Sequence, residues 1–228
     1  MARRRSRTDL GERRDTTARL ALAGLWAPGV FVLGVAAAWS TWPGYSHRTQ
    51  NLSDLGGTQA PQPIVMNVTF VLFGLLVLLL AVGMRRSRST PIAGPSGLLV
   101  GCFGLAMVVQ GLTPCTPGCA QGTPTDGVHA ITAISGFLAV IVAMSLSWRR
   151  ARSHPGWRRF GRWSAIAAVV VGVSLGAWSV AAAADPDALH GGAFQRFAVA
   201  VILGWLGATA TKLRRTAVVG PLDTLSGN

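Results

Sequence analysis

Six apolar runs, at residues 20–42, 64–84, 92–112, 128–148, 163–184 and 193–213, constrain this chain more than any other feature. Each is near the roughly 20 residues with which a helix crosses the hydrocarbon core of a bilayer. In lipid, only helices and closed barrels satisfy their backbone groups. The runs are continuous rather than alternating, so each reads as a helix. The expected fold is all-α: a polytopic membrane protein with six transmembrane helices in a bundle over residues 19–215. Residues 1–18 read as a basic cytoplasmic tail without fixed structure, and 216–228 as a second cytoplasmic tail. No stretch reads as a soluble domain. Composition agrees: only 13% of residues are charged, where a soluble domain carries about 25%.

A net charge of +13 raises the question of nucleic acid, and the placement of the charges argues against it. All but two of the 21 Lys and Arg residues fall in the N-terminal tail, the RRSR loop after the second run, the RRARSHPGWRRFGR loop after the fourth, and the C-terminal tail. The exceptions are Arg48 and Arg196. By the positive-inside rule both termini are cytoplasmic and the membrane is the plasma (inner) membrane. The basic charge is then explained by topology and anionic headgroups. The N-terminus has the basic start of a signal peptide, and Ala36 to Ala38 offers a cleavage site. The run to Trp42 is long enough to span, so an uncleaved first helix is expected. Trp39 and Trp42, and Trp148, Trp157 and Trp163 on the other side, suit an interfacial belt. Gly97-x-x-x-Gly101 and Gly172-x-x-x-Gly176 suit close helix packing, and Pro28 a kink in the first span.

This topology sorts the polar residues. The first outer loop, YSHRTQNLSDLGGTQAP, holds Ser53 and Asp54. Asp54 either caps its own turn or faces the mouth of the bundle with Ser53. Asn67, one turn into the second span, needs a partner among the helices. In the second outer loop Thr125 or Asp126 suits the N-cap of the fourth span. His129, three residues on, shares a helix face with Asp126. The pair reads either as a cap with a hydrogen-bonded histidine, or as an acid–base pair or metal half-site, with His190 as a further ligand. Cys115 and Cys119 lie in CTPGC, where a disulfide is allowed but not required. Two cysteines alone make a poor zinc site. Cys102 reads as buried within an apolar span. The third outer loop carries Asp185, Asp187 and His190 and leads to Gln195 and Arg196. For Arg196, snorkelling, pairing with Asp54 or Asp126, and contact with a phosphate all stay open.

The stretch YSHRTQNLSDLGGTQAP followed by N-x-x-F resembles the bacterial membrane family called Domain of Unknown Function 998. The resemblance runs from about Trp42 to Leu213. It implies about six helices and places family positions at Ser53, Asp54, Leu55, Gly56, His129 and Arg196. The family's F-P-x-D before the fourth helix is replaced here by TPCTPGCAQGTPTD, with Asp126 in the acidic position. A looser likeness is to the FRAG, DRAM and Sfk membrane proteins, some of which act in lipid-anchor remodelling, and it implies lipid handling by analogy alone.

The function expected from these readings is an outward-facing polar pocket lined by Ser53, Asp54, Asp126, His129, His190 and Arg196, with Asn67 behind it. It would bind or modify a lipid or other amphiphile. If the protein is an enzyme, His129 is the acid–base residue, Asp54 or Asp126 its orienter, and Arg196 the anion contact. No metal site is assigned; Asp126, His129 and His190 are the residues a metal could use. No cofactor is identified. Expected partners are membrane lipids, with a membrane-protein partner or a second copy left open. A transporter and a noncatalytic scaffold are the alternatives. The spans hold almost no ionisable group near mid-membrane, which counts against the transporter.

Overall fold

The computed structural model describes residues 2–87, 90–119, 122–184 and 191–218. It holds six long helices: α1 (Ala2–Ser40), α2 (Pro63–Arg86), α3 (Pro95–Leu112), α4 (Pro124–Ala151), α5 (Arg158–Ala184) and α6 (Gly191–Val218). All six contain segments long and apolar enough to cross a membrane, and no strand occurs among the described residues. The protein is a multi-pass membrane protein built of helices. Six crossings bring the first and last helix ends to one face, called here the basic face. The loops at 41–62 and 113–119 lie on the opposite, polar-loop face.

Proline stands at the start of α2, α3 and α4, where its fixed φ suits a first helical turn and its missing N–H costs nothing. This sets the start of α3. The apolar run begins at Ile92, but Gly94 takes φ +79° and Pro95 opens the helix, so Ile92 packs in the preceding turn, fully buried. α1 begins at Ala2 and carries the arginine-rich segment as helix.

Each helix packs on its neighbours in chain order, and α6 returns to α1, closing a ring. Association inside lipid depends on close backbone approach. At the α2–α3 crossing a methyl group on Gly74 would lie 2.5 Å from the Gly104 carbonyl oxygen, and one on Gly104 would lie 2.9 Å from that of Gly74. Gly97 sits against α2 as expected. Gly172 and Gly176 do not pack: nothing lies within 4 Å of a Cβ built at either, and exposed Val169 and Val173 share their stretch of α5. Cys102 is also exposed rather than buried.

The basic half of the ring is filled. Leu80, Met84, Met144, Leu206 and Leu213 are fully buried. Trp205 is buried too and donates from Nε1 to Ser164 Oγ at 2.9 Å, tying α6 to α5. Trp157 is buried within the protein, beneath the Lys212 ammonium, 5.1 Å from its ring. Arg150 donates to the Ala93 carbonyl at 2.9 Å and holds the turn between α2 and α3.

Candidate functional site

The loop between α1 and α2 folds back over the polar-loop end of the ring, and α6 anchors it. Arg196 Nη1 donates to the carbonyls of His47 and Gln50, both at 2.7 Å, and to Gly192 at 2.9 Å. Its Nη2 donates to the Tyr45 hydroxyl, and the guanidinium lies 5.3 Å from the Tyr45 ring centroid. Tyr45 in turn donates to the Asn51 carbonyl at 2.7 Å. A side chain at Gly192 would collide with the Gln50 carbonyl, so glycine is needed for this approach. The arginine that sequence reasoning left open between pairing and ligand contact is therefore engaged with backbone carbonyls.

Burial raises the Tyr45 phenol to about 12; the Arg196 charge works against this, and the nearby Asp54 adds to it. The His47 imidazole is lowered, by partial burial and then by the Arg196 charge. Tyr45 is the only tyrosine, so phenolate absorbance reads it alone. Its titration midpoint is expected at about 12 rather than the usual value of about 10. Because the folded pKa is raised, this contribution to stability is complete below pH about 10 and is lost as pH climbs from there through about 12. A midpoint at the ordinary phenol value would refute the buried placement.

Asp54 is buried in a 3-10 turn, Leu52–Gly56, which it caps: its Oδ2 accepts the Asn51 N–H at 2.7 Å. The turn is fixed from two further helices. Leu52 N–H donates to Gln195 Oε1 on α6 at 2.7 Å, and Trp178 Nε1 on α5 donates to Asn51 Oδ1 at 3.2 Å. Asn67 on α2 packs its side-chain oxygen against Gly56.

The loop before α4 is built around Asp126, 2% exposed. Thr123, not Thr125 or Asp126, is the N-cap, and Asp126 completes a reciprocal capping box three residues on. The Asp126 carboxylate accepts from Thr116 N–H at 2.8 Å, Thr116 Oγ1 at 2.9 Å and Thr123 N–H at 3.1 Å. Cys115 and Cys119 are joined by a disulfide, and the Cys115 carbonyl accepts from Thr58 N–H at 2.9 Å, linking the two loops. His129 is 4% exposed and its Nδ1 lies 2.9 Å from the Thr113 carbonyl oxygen. A carbonyl can only accept, so Nδ1 carries the proton. The group that orients His129 is thus a backbone carbonyl, neither Asp54 nor Asp126.

Beneath these loops the ring encloses a cavity of about 270 Å³. Its body is apolar, walled by Phe31, Phe70, Phe73, Phe103, Met107 and Phe137. Its rim is polar, with Asn51, Ser53, Gln110, His129 and Gln195. Gln110 is 5% exposed, and its Nε2 has no hydrogen-bond partner. Of the residues expected to line a polar pocket, Ser53 and His129 border this cavity. Asp54, Asp126, Arg196 and Asn67 stand behind it as supports of the loops. His190, expected as a ligand, lies outside the described residues. Among the described residues the set that could hold a metal is Cys115, Cys119 and His129; the expected set of Asp126, His129 and His190 includes a residue outside them. Sequence reasoning missed Tyr45, Trp178 and Asn51. Their only signal was a single tyrosine and a third tryptophan at the polar-loop level.

No curated protein and no solved structure matches the chain. Residues 25–212 match a family model that takes in all six helices, and the chain belongs to the family described as Protein of unknown function (DUF998).

Proposed function

We propose that this protein binds an amphiphile, holding the hydrocarbon end in the apolar cavity and the polar end at the rim. The observation that carries this reading is Gln110. A buried amide with an unpartnered donor is costly, by about 1–3 kcal/mol, and such groups call for an explanation. An ester, amide or phosphate oxygen of a ligand would accept from it. The surroundings fit a binding site: a concave, largely apolar volume with a few convergent polar groups. The cavity reaches from the polar-loop face to Phe73, about 15 Å along α2 by helix rise. The packed Leu80, Met84 and Met144 layer lies beyond. A cavity confined to the polar-loop half of the ring favours binding or modification over a continuous transport path. With the basic face cytoplasmic by the positive-inside bias, the rim faces outward from the plasma membrane. The entrant is then a lipid of the outer leaflet.

The test is mass spectrometry of solvent extracts from protein purified in mild detergent, comparing wild type with Ala133→Phe and Gln110→Leu. Ala133 lines the cavity, and phenylalanine there fills it. We expect one amphiphile class in wild type, absent from Ala133→Phe. In Gln110→Leu retention should fall by up to about tenfold, one hydrogen bond's worth. The ligand-free Gln110→Leu protein should also be more stable by about 1 kcal/mol, since the orphaned amide is gone. Equal ligand content in all three folded proteins would sink the proposal.

A further inference from the structure

We propose that Cys115, Cys119 and His129 form a redox-gated zinc site in the cavity wall. A sulfur from each cysteine and a ring nitrogen of His129 lie within 4.8 Å of one another. Cys115 and His129 are buried, and Cys119 and His129 both border the cavity. The orientation of His129 is that of a metal ligand: Nδ1–H is given to the Thr113 carbonyl, which fixes the tautomer and leaves Nε2 to coordinate. The donor set suits a borderline d10 cation, with two soft thiolates and an imidazole. Charge balance fits the surroundings too. Two thiolates neutralise Zn²⁺, so the loaded site has no net charge to bury. Three protein ligands leave a fourth position for water or a bound molecule, the arrangement of catalytic rather than structural zinc. The cavity borders two of these ligands.

The disulfide closes this site. A dithiol reductant transfers two electrons and two protons to the S–S bond and is itself oxidised to a disulfide. Cys115 and Cys119 become thiols. Zn²⁺ then displaces both thiol protons as the two Zn–S bonds form, and Nε2 adds its lone pair. Oxidation by a disulfide reverses the sequence and expels the ion. The inference is independent of amphiphile binding, and its test needs no amphiphile.

The experiment uses the full chain carrying Cys102→Ser, so that the remaining cysteine adds no signal. Co²⁺ is titrated into oxidised protein and into protein reduced with a phosphine, followed by Zn²⁺ displacement. The readouts are thiolate-to-cobalt charge transfer and the intense visible bands of tetrahedral cobalt. Reduced protein should bind one Co²⁺ per chain and release it to Zn²⁺; oxidised protein should bind none. His129→Gln should keep the thiolate bands and weaken binding by about tenfold or more, while Cys119→Ser should remove most of the charge-transfer intensity. No tetrahedral cobalt in reduced protein overturns the site, and that comparison requires no variant to fold. Binding unchanged by His129→Gln in folded protein overturns the assignment of the imidazole.

Discussion

Replacing Arg196 with methionine should destabilise the folded protein by about 3 kcal/mol or more. Methionine keeps the length and apolar stem and removes only the guanidinium. Four hydrogen bonds go with it, to the carbonyls of His47, Gln50 and Gly192 and to the Tyr45 hydroxyl. Hydrogen bonds to a charged group contribute about 1.5–3 kcal/mol each when removed singly. Those sharing one nitrogen do not add, so the equivalent of two is the safer figure. For a chain of this size that is a drop in Tm of about 6–12 °C. Lysine should recover only part of it, because an ammonium neither forks between carbonyls nor stacks on Tyr45 as the guanidinium does. Thermal unfolding in detergent reads the first effect. The Tyr45 titration reads the loosening: loss of the Arg196 charge alone would push the phenol higher still, so a midpoint that falls from about 12 toward about 10 reports release of the ring from burial. An Arg196→Met protein with an unchanged Tm would mean that the arginine serves a ligand and not the loop.

Much of the architecture was legible because lipid leaves few choices. A continuous apolar run must be helical in a bilayer, and the membrane-crossing segments of all six helices follow from length and apolar composition. The ends of the helices were less legible, since local backbone chemistry decides them. Pro95 after the left-handed Gly94 moves the start of α3 past the first apolar residues. Which small-residue motif packs was not legible either. Gly97-x-x-x-Gly101 and Gly172-x-x-x-Gly176 have the same spacing, yet only the first meets a neighbouring helix, because the ring order decides what each face sees. For the site, sequence reasoning found residues of consequence and left open where they point. Asp54, Asp126 and Arg196 are rare charges at a membrane surface, which marks them for a role. Whether such a charge faces a ligand or a loop backbone depends on contacts far apart in sequence, such as Arg196 with residues 47 and 50. Cys115, Cys119 and His129 come together for a similar reason: the loop doubles back onto the first turns of α4.

Asp126→Ala separates support from ligand contact most sharply. The carboxylate accepts three hydrogen bonds, two from Thr116 and one from Thr123. It also places negative charge at the N-terminal turn of α4, where the helix dipole favours it. Losing a cap costs about 0.5–2 kcal/mol, and losing the acceptor for a buried N–H adds about 1–3 kcal/mol. The expected total is roughly 2–4 kcal/mol, or a Tm lower by about 4–16 °C. The Asp126→Asn variant retains one acceptor oxygen but presents an NH₂ where the aspartate received a second donor, so about half the loss should remain. The Thr113 carbonyl and Cys115 belong to the loop that Asp126 holds, so the alanine variant should also weaken Co²⁺ binding by the reduced protein, although Asp126 is not among the proposed ligands. Faster hydrogen exchange at the Thr116 amide would locate the change. A carboxylate held out for substrate predicts the reverse: stability preserved, and the loss confined to bound ligand. Gln110→Leu should lose bound ligand while its stability is kept or raised, because its Nε2 lines the cavity without a partner, whereas the bonds of Asp126 are already made within the fold.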